Sequence, residues 1–198
     1  MKTDIIEKIK AHKKYVETLG EQGEKLVLDE FQFEDINFID IDFSESYLTE
    51  CSFENLKLEK LDFYRAGLYS SSFANAQINQ SIYVKSNTDY TSFVGATVSD
   101  SNFFKAELPE SDFSNATIKN SSFIAADLRE ANFSNSKLVN VDFKYTRFKE
   151  TILKDSVVEN PINLDEATIK SINIGTLKNP IILENEQATQ WMLDNIVK

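Results

Sequence analysis

The chain has 198 residues and a formal net charge of −11, from 32 acidic and 21 basic side chains. That length suits one domain or one repeat array with caps, and the negative charge argues against direct nucleic-acid binding. The single cysteine excludes an internal disulfide bond and fits a reducing compartment. The sequence has no apolar run that could span a bilayer and no secretory signal pattern, so we expect a cytoplasmic protein that binds no membrane.

Residues 1–27 predict an N-terminal cap that contains a helix over residues 3–20. Asp4 and Glu7 have the spacing of a capping box, and Gly20 is a typical helix end. One stripe of this helix carries Ile5, Ile9, His12, Val16 and Leu19. We expect the stripe to cover the open end of the structure that follows. A basic helix that binds nucleic acid or membrane is the weaker alternative, because acidic residues separate its lysines.

Residues 28–174 follow a period of five. Every fifth residue from Leu28 to Val158 is apolar or aromatic except Thr88, and these 27 positions hold 13 of the 15 phenylalanines. Helices and ordinary strands have apolar periods of 3.6 and 2 instead. A short period that is kept over such a length predicts a solenoid.

A second period of twenty lies within the first, so four five-residue units form one coil and like side chains stack on like. Two of the resulting columns are aromatic: Phe33, Phe53, Phe73, Phe93, Phe113 and Phe133, and Phe43, Phe63, Tyr83, Phe103, Phe123 and Phe143. The other two are mostly aliphatic: Leu48, Leu68, Thr88, Leu108 and Leu128, and Phe38, Leu58, Ile78, Val98, Ile118, Leu138 and Val158.

The position two residues before each of these is a second inward set. Between Ala66 and Ser136 it holds only Ala, Ser or Thr, so we expect little space there and hydroxyl groups bonded to nearby backbone. Nearer the N-terminus the same positions hold larger side chains, which predicts that the first coils pack differently: Phe31, Ile36, Ile41, Cys51, Leu56 and Leu61.

The pattern A-[DN]-[LF]-x-x recurs as Ala126-Asp127-Leu128, Ala131-Asn132-Phe133, Ser111-Asp112-Phe113 and Ser101-Asn102-Phe103. It resembles the repeat of the pentapeptide-repeat family over about two-thirds of the chain. The resemblance implies an all-β solenoid, namely a right-handed, four-sided parallel β-helix with the central Leu or Phe and the small residue pointing inward. It is specific for the fold and says little about function.

Two irregularities interrupt the repeat. Thr88 lies in the polar stretch 86–90, which predicts a bulge or a loosened coil. The register moves by one residue at Asn160-Pro161, where a bulge would absorb the extra residue. The inward pairs then continue as Ile162/Leu164, Ala167/Ile169 and Ile172/Ile174. The coils total about seven, or roughly 35 Å at the spacing of stacked strands.

Residues 175–198 predict a C-terminal capping segment with a helix over residues 185–197, for which Asn185 is the expected N-cap. One face of that helix carries Ala188, Trp191, Met192 and Ile196. The face either caps the last coil or forms a dimer contact that also hides the edge, and Trp191 anchors it in both cases.

The sequence offers no catalytic constellation, and we expect neither an enzyme nor a cofactor or metal. His12 and Cys51 are each the only residue of their kind, whereas zinc sites and Cys/His nucleophile pairs need several. Cys51 occupies the inward small-residue column, which favours a packing role. The Asp and Asn residues before the central positions suit turn-bonding roles at the surface.

Acidic side chains concentrate between Asp29 and Asp62, where eleven of them face two lysines, a net charge of −9 out of −11. The central members of this acidic patch are Glu34, Asp35, Asp40, Asp42, Glu45, Glu50, Glu54 and Glu59. The patch is either a solvated end or a partner site. In family members that confer fluoroquinolone resistance, an acidic rod is thought to imitate DNA and occupy gyrase. Here the charge stays in the first two coils, and the unbroken register lacks the looped insertions of several such members.

A second surface feature follows from the residues just after one aromatic column. They should point outward and stack on consecutive coils: Tyr64, Val84, Phe104 and Ile124. The next outward positions are basic: Arg65, Lys85 and Lys105. We call these seven residues the apolar–basic ladder. An exposed apolar patch of this kind indicates an interface, so we expect it to dock a protein partner or a second copy. The alternative is that the N-terminal helix covers it.

The sequence therefore predicts a non-enzymatic solenoid that acts as a protein-interaction module or scaffold. Its partner is an unidentified protein, and a homodimer is also compatible with the pattern. The second functional hypothesis is a DNA-mimicking protein that binds DNA gyrase or another topoisomerase and confers fluoroquinolone or toxin resistance.

Overall fold

The computed structural model describes residues 2–34 and 38–197 as a parallel β-solenoid of about seven turns with a short helix at each end. The predicted all-β solenoid is thus confirmed. Helix α1 spans Lys2–Glu17 and helix α2 spans Asn185–Asp194. The strands are β1 (Val27–Asp29), β2 (Phe38–Ile39), β3 (Tyr47–Thr49), β4 (Lys57–Glu59), β5 (Gln77–Asn79), β6 (Thr97–Ser99), β7 (Thr117–Lys119), β8 (Lys137–Val139), β9 (Arg147–Phe148), β10 (Thr151–Ile152), β11 (Val157–Glu159), β12 (Thr168–Ile169), β13 (Ser171–Asn173), β14 (Ile182–Glu184) and β15 (Ile196–Val197).

The solenoid has four faces, and strands one coil apart pair in parallel at a spacing of twenty residues. One face is a sheet of eight strands in the order β15-β11-β8-β7-β6-β5-β4-β2. Shorter pairs and isolated bridges join the coils on the other three faces, for example at Asp62↔Ile82. We name each face by one central residue: the Ile118 face (the eight-stranded sheet), the Phe103 face, the Leu128 face and the Phe113 face.

Most corners of the coil are tight turns that begin at the central residue. On the Phe103 face the Ala106 N–H donates to the Phe103 carbonyl at 3.0 Å, and Lys105 between them has φ 55°. A positive φ at the third residue is the requirement of a type II turn. A residue with positive φ recurs every five positions, which is why the side-chain period is five and four units close one coil. At the corner after the Ile118 face the hydrogen bond differs, since the Ser81 N–H donates to the Ser101 hydroxyl one coil on.

The core consists of side-chain stacks that run along the solenoid axis. Phe93 and Phe113 lie 4.5 Å apart with ring planes 1° apart, and Phe103 stacks on Tyr83 at 4.6 Å. Offset stacking of this kind adds to the energy of apolar burial. Small residues fill the corners, and their hydroxyl groups bond to backbone as predicted: Thr91 Oγ1 donates to the Leu68 carbonyl at 2.8 Å.

Thr88 does not loosen its coil, contrary to the sequence prediction. Its side chain is fully buried, and its Oγ1 donates to the Glu107 carbonyl at 2.7 Å. The bridges from Gly67 through Asn87 to Glu107 keep the twenty-residue spacing. The hydroxyl reaches the carbonyl of the next coil, so this polar side chain fits an otherwise apolar column without a bulge.

The extra residue near position 160 enters later than predicted. Asp142 still pairs with Ile162 at a spacing of twenty, so Pro161 causes no shift. The spacing becomes twenty-one at β9–β12, after a 3₁₀ turn over Leu164–Glu166. Leu164 is buried as predicted, but Ile162 is 44% exposed because it occupies an outward position.

Helix α1 covers the N-terminal end of the solenoid. Ile5 is buried in the common core, and His12 is fully buried where its Nδ1 accepts a hydrogen bond from the Leu26 N–H at 3.0 Å. The prediction was wrong at both ends of the helix. Asp4 lies inside the helix rather than at its cap, and Leu19 lies beyond its end and is 96% exposed.

Helix α2 covers the C-terminal end. Ala188 and Met192 are buried, and Trp191 is half-buried against the core, as the predicted stripe requires. The helix is shorter than predicted, because the chain turns after Asp194 and Ile196 enters strand β15 beside Val158. Asn185 is the first helical residue rather than the N-cap. No helix within residues 2–34 and 38–197 is long and apolar enough to cross a membrane.

Candidate protein-interaction surface

The apolar members of the ladder lie in line on the Phe103 face. Tyr64, Val84, Phe104 and Ile124 each follow a buried central residue and are half-buried themselves. Consecutive members are one coil apart, which is ~4.8 Å in a parallel sheet. Ile82, on the same face, is 38% exposed and widens the apolar strip. The sequence prediction that these side chains share one outward column is consistent with this placement.

The basic members of the ladder line one edge of that strip. Arg65, Lys85 and Lys105 occupy the left-handed corner positions and are exposed. The Lys105 Nζ lies 5.1 Å from the ring centre of Phe104, and the Lys85 Nζ lies 5.8 Å from that of Tyr64. These cation–π contacts hold positive charge directly beside half-buried aromatic rings.

The apolar strip ends at helix α1 on one side and at an ion pair on the other. Ser44, one coil before Tyr64, is 6% exposed and lies beside His12 of α1. Lys144, one coil after Ile124, forms an ion pair with Glu166 at 3.1 Å. Helix α1 therefore covers the first position of this column, and the open stretch begins at Tyr64.

The acidic patch forms a ring rather than a stripe. Its described members are distributed over all four faces of the first two coils: Asp40 and Glu59 on the Ile118 face, Asp42 and Glu45 on the Phe103 face, Glu50 on the Leu128 face, and Glu34 and Glu54 on the Phe113 face. Asp35 lies outside the described residues. An evenly charged end differs from the continuous acidic side that a DNA-like rod requires.

One pair in this ring is electrostatically coupled. Asp42 and Asp62 are bridge partners on adjacent coils. Burial raises the pKa of Asp62, and the nearby Asp42 carboxylate raises it further. The hydrogen bond that the Tyr64 N–H donates to the Asp62 carboxylate lowers this pKa.

The residues that could suggest chemistry are placed for packing. Cys51 is buried, and burial raises the pKa of its thiol to about 11. It is therefore not a nucleophilic thiolate at neutral pH. Burial also lowers the pKa of His12, whose Nδ1 already accepts a backbone hydrogen bond. Across residues 2–34 and 38–197, no group of three or more His, Cys, Asp or Glu side chains could hold a metal ion.

The C-terminal cap carries exposed apolar side chains that sequence reasoning missed: Leu177, Ile181, Ile182 and Leu193. They surround an edge strand, since β14 pairs with β13 on one side. Leu193 lies off the buried stripe that the helical periodicity predicts. The dimer contact through Trp191, Met192 and Ile196 stays a prediction.

Sequence reasoning also missed a group of basic side chains on the Leu128 face. Arg129, Lys149 and Lys170 follow consecutive central residues, and Arg147 precedes one of them. Sorting the outward positions by twenty brings Arg129 and Lys149 into one column, but Lys170 follows Lys149 by twenty-one residues, so the column alone does not reveal the whole group.

The model of the pentapeptide repeat region matches residues 61–133, and the model of pentapeptide repeats (8 copies) matches residues 118–155. No curated protein matches the chain.

Among solved structures, the chain is similar to HetL, a pentapeptide repeat protein involved in heterocyst differentiation regulation from the cyanobacterium Nostoc sp. The TM-score is 0.70 at 18% identity, over 76% of this chain and 69% of HetL. It is also similar to QnrB1, a plasmid-mediated fluoroquinolone resistance protein, with a TM-score of 0.44 at 14% identity over 88% and 98% of the two chains. A pentapeptide repeat protein from the Arabidopsis thaliana thylakoid lumen matches at a TM-score of 0.33 and 20% identity, over 65% and 66%.

Proposed function

This chain belongs to the pentapeptide-repeat family, and from that premise we propose that it is a non-enzymatic protein-interaction module whose binding surface is the apolar–basic ladder. Proteins of this family are structural repeat proteins and generally not enzymes. The observation that carries the proposal is the strip from Tyr64 to Ile124, where apolar side chains stand in line beside three exposed cations on a protein of net charge −11.

The charges beside the strip specify the partner. Arg65, Lys85 and Lys105 line its edge, so a matching protein surface has an apolar centre and an acidic rim. Tyr64 and Phe104 are the expected anchors, because aromatic side chains at the centre of an interface contribute most of the binding energy. The stacked strands beneath hold the strip rigid, which lowers the entropic cost of binding.

The test compares two double variants with the wild-type protein. Tyr64→Glu with Phe104→Glu places two negative charges within the strip. Tyr69→Glu with Tyr90→Glu is the matched control, because it makes the same charge change at exposed aromatics of the Leu128 face. Proteins that bind the immobilised wild-type chain in a lysate of the source organism are identified, purified and titrated against all three forms.

We expect a partner that binds the wild type and the control alike, that binds the ladder variant at least about tenfold more weakly, and whose affinity falls with added salt. The ladder could instead bind a second copy of this chain, and analytical ultracentrifugation of the three forms detects such a homodimer. If every partner binds the ladder variant as tightly as the wild type, and its oligomeric state is also unchanged, the proposal is wrong.

The second hypothesis, a DNA mimic that occupies gyrase, depends on the acidic patch. Because that patch rings the first two coils, we expect purified protein to leave gyrase supercoiling unchanged with and without ciprofloxacin. Inhibition or drug protection that is lost in the variant Glu50→Gln with Glu54→Gln would replace the interaction-module proposal with the gyrase hypothesis.

A further inference from the structure

A small pocket on the Leu128 face of the last coils is lined by basic side chains. It has a volume of 230 Å³, and its lining includes Arg129, Arg147, Lys149, Thr168 and Lys170. This is below the ~300–1,000 Å³ of typical small-molecule pockets. It therefore suits a single charged group better than a large ligand.

A buried carboxylate fixes two of the cations. Asp127 is 2% exposed, and both of its carboxylate oxygens accept a hydrogen bond from Arg129 Nε at 2.9 Å. Its Oδ2 also accepts from Arg147 Nη2 at 2.9 Å. Two guanidinium groups share one carboxylate, so the pair keeps a net positive charge and a fixed orientation.

The remaining donors are held by neighbouring strands. Arg147 in β9 is the register partner of Thr168 in β12. The Lys170 N–H donates to the Phe148 carbonyl at 2.9 Å, which ties the start of the next coil to the pocket. Backbone pairing of this kind positions the side chains in advance of any ligand, which favours binding.

The lining of the pocket favours an anion with several oxygens. Four cations line it: Arg129, Arg147, Lys149 and Lys170. Asp127 pairs with both arginines, and the Glu150 carboxylate lies 3.9 Å from the Lys149 Nζ. Glu130 and Asp89 add negative charge near Arg129, so the positive charge that faces a ligand is that of Arg147, Lys149 and Lys170. A phosphate monoester carries about −1.5 to −2 at neutral pH and accepts the paired N–H groups that guanidinium forks present.

We propose that this pocket binds a phosphate group, either as a free phosphate compound or on a phosphorylated side chain of another protein. Arg147 and Lys149 contact the phosphate oxygens, and Arg129 and Lys170 complete the ring of charge. Thr168 offers a hydroxyl donor at the same edge. The site lies on another face than the apolar–basic ladder and does not depend on the function proposed for that surface.

The experiment is a titration of isotope-labelled full-length chain, followed by the amide signals of Arg147, Thr168 and Lys170 at constant ionic strength. The probes are inorganic phosphate, acetate, and a short phosphoserine peptide with its unphosphorylated twin. We expect saturable shifts with phosphate or phosphoserine and not with acetate or the unphosphorylated peptide. Binding of inorganic phosphate assigns a free ligand, and binding of the phosphopeptide alone assigns a phosphorylated protein.

Two variants and a control complete the test. Arg147→Gln with Lys149→Gln should weaken binding at least about tenfold. Lys149→Gln with Lys170→Gln should do the same without touching the Asp127 contacts, so a folding defect cannot imitate the result. The control, Lys85→Gln with Lys105→Gln, makes an equal charge change on the Phe103 face. The proposal is overturned if no phosphate probe saturates, if acetate binds as tightly, or if the control loses as much affinity.

Discussion

The first two coils and the coils that follow share one backbone repeat but differ inside and outside. In the first coils the inward corners hold large side chains, and Phe31, Ile41 and Leu56 are only partly buried. From Ala66 to Ser136 the corners are small and fully buried. Outside, the first coils carry a ring of acids, whereas the middle coils carry the ladder and the last ones the basic pocket. The backbone repeat thus needs only its central and corner positions, and the outward positions are free to vary with function.

The packing difference appears in the aromatic geometry. Phe33 stacks on Phe53 at 4.4 Å with ring planes 25° apart, whereas Phe93 and Phe113 one coil apart are 1° from parallel. Phe33 also meets Phe38 edge-on at 5.4 Å, because the aliphatic column begins with a phenylalanine. The stack of this column is therefore less regular at its first ring than in the middle coils.

The largest expected effect comes from removing one ring of the middle stack. Phe103 is fully buried between Tyr83 and Phe123, so Phe103→Ala should lower the free energy of unfolding by about 3–5 kcal/mol. Its neighbour Phe104 points outward, and Phe104→Ala should cost about 1 kcal/mol or less. Urea denaturation of both variants measures the difference.

The same substitution in the first coil sharpens the comparison. Phe33→Ala should lower global stability less than Phe103→Ala, because an end coil contacts one neighbour and can open without the rest. Hydrogen exchange should then show lost protection confined to the first coils. Equal losses at Phe33 and Phe103 would mean that the two regions form one cooperative unit.

An opposite sign is expected at Tyr83. The side chain is fully buried in the Phe103 column, and its hydroxyl has no hydrogen-bond partner. Tyr83→Phe removes this unsatisfied group and keeps the ring, so it should raise the free energy of unfolding by about 1–3 kcal/mol. Tyr64→Phe, at a half-buried outward position, is the control and should change it little. A loss of stability in Tyr83→Phe would show that the hydroxyl is satisfied.

The central columns and the small corners could be predicted from the sequence, because burial there imposes a strict choice of residue every five positions. The position of the extra residue could not be predicted. A bulge at Pro161 and a 3₁₀ turn over Leu164–Glu166 both shift the register by one residue, so the inward positions of the following coil are the same in either case. The regular packing of Thr88 could not be predicted either, because its hydroxyl donates a hydrogen bond to the Glu107 carbonyl, nineteen residues further along the chain.

The outward surfaces can be predicted from the sequence only where their residues fall into one column of the repeat. The ladder is visible as a column of apolar residues, and its members lie where the repeat places them. The pocket around Asp127 needed the structure, because Arg129 and Arg147 occupy different positions of the repeat and meet through side-chain contacts. The repeat pattern does not show that one buried carboxylate accepts hydrogen bonds from both guanidinium groups.

The helix that covers the first coil should make stability depend on pH. Burial lowers the folded-state pKa of His12 below its ordinary 6.5, an effect that Lys25 reinforces and that Asp42, Glu45 and a Ser44 backbone contact oppose. The unfolded chain then binds more protons than the folded one as the pH falls below 6.5, so stability should fall there.

Urea midpoints at about pH 7 and pH 5 measure this effect. His12→Gln retains an acceptor for the Leu26 N–H but does not titrate, so its midpoint should change less over that range. Because His12 is the only histidine, an equal pH dependence in the variant would assign the effect to carboxyl groups instead.

The smallest expected effect tests the acidic ring itself. Asp42→Asn keeps a side-chain oxygen that can accept the Ser44 N–H but removes the charge beside Asp62. The pKa of Asp62, which is raised in the folded chain, should therefore fall towards its ordinary 3.8. A carboxyl whose pKa is raised on folding destabilises the fold above that pKa, so the variant should gain about 0.2–1 kcal/mol at neutral pH.

That gain should vanish at high salt, which screens the repulsion, and below pH 3.8, where the Asp62 carboxyl is protonated in the folded and unfolded chain alike. Asp142→Asn on the same face is the matched control, because its Oδ1 likewise accepts a backbone N–H, from Lys144 at 3.0 Å, and its bridge partner one coil before is Ser122 rather than an acid. Carboxyl NMR titration of Asp62 measures the pKa directly. An unchanged pKa in Asp42→Asn would mean that burial alone sets it and that the ring carries its charge without mutual repulsion.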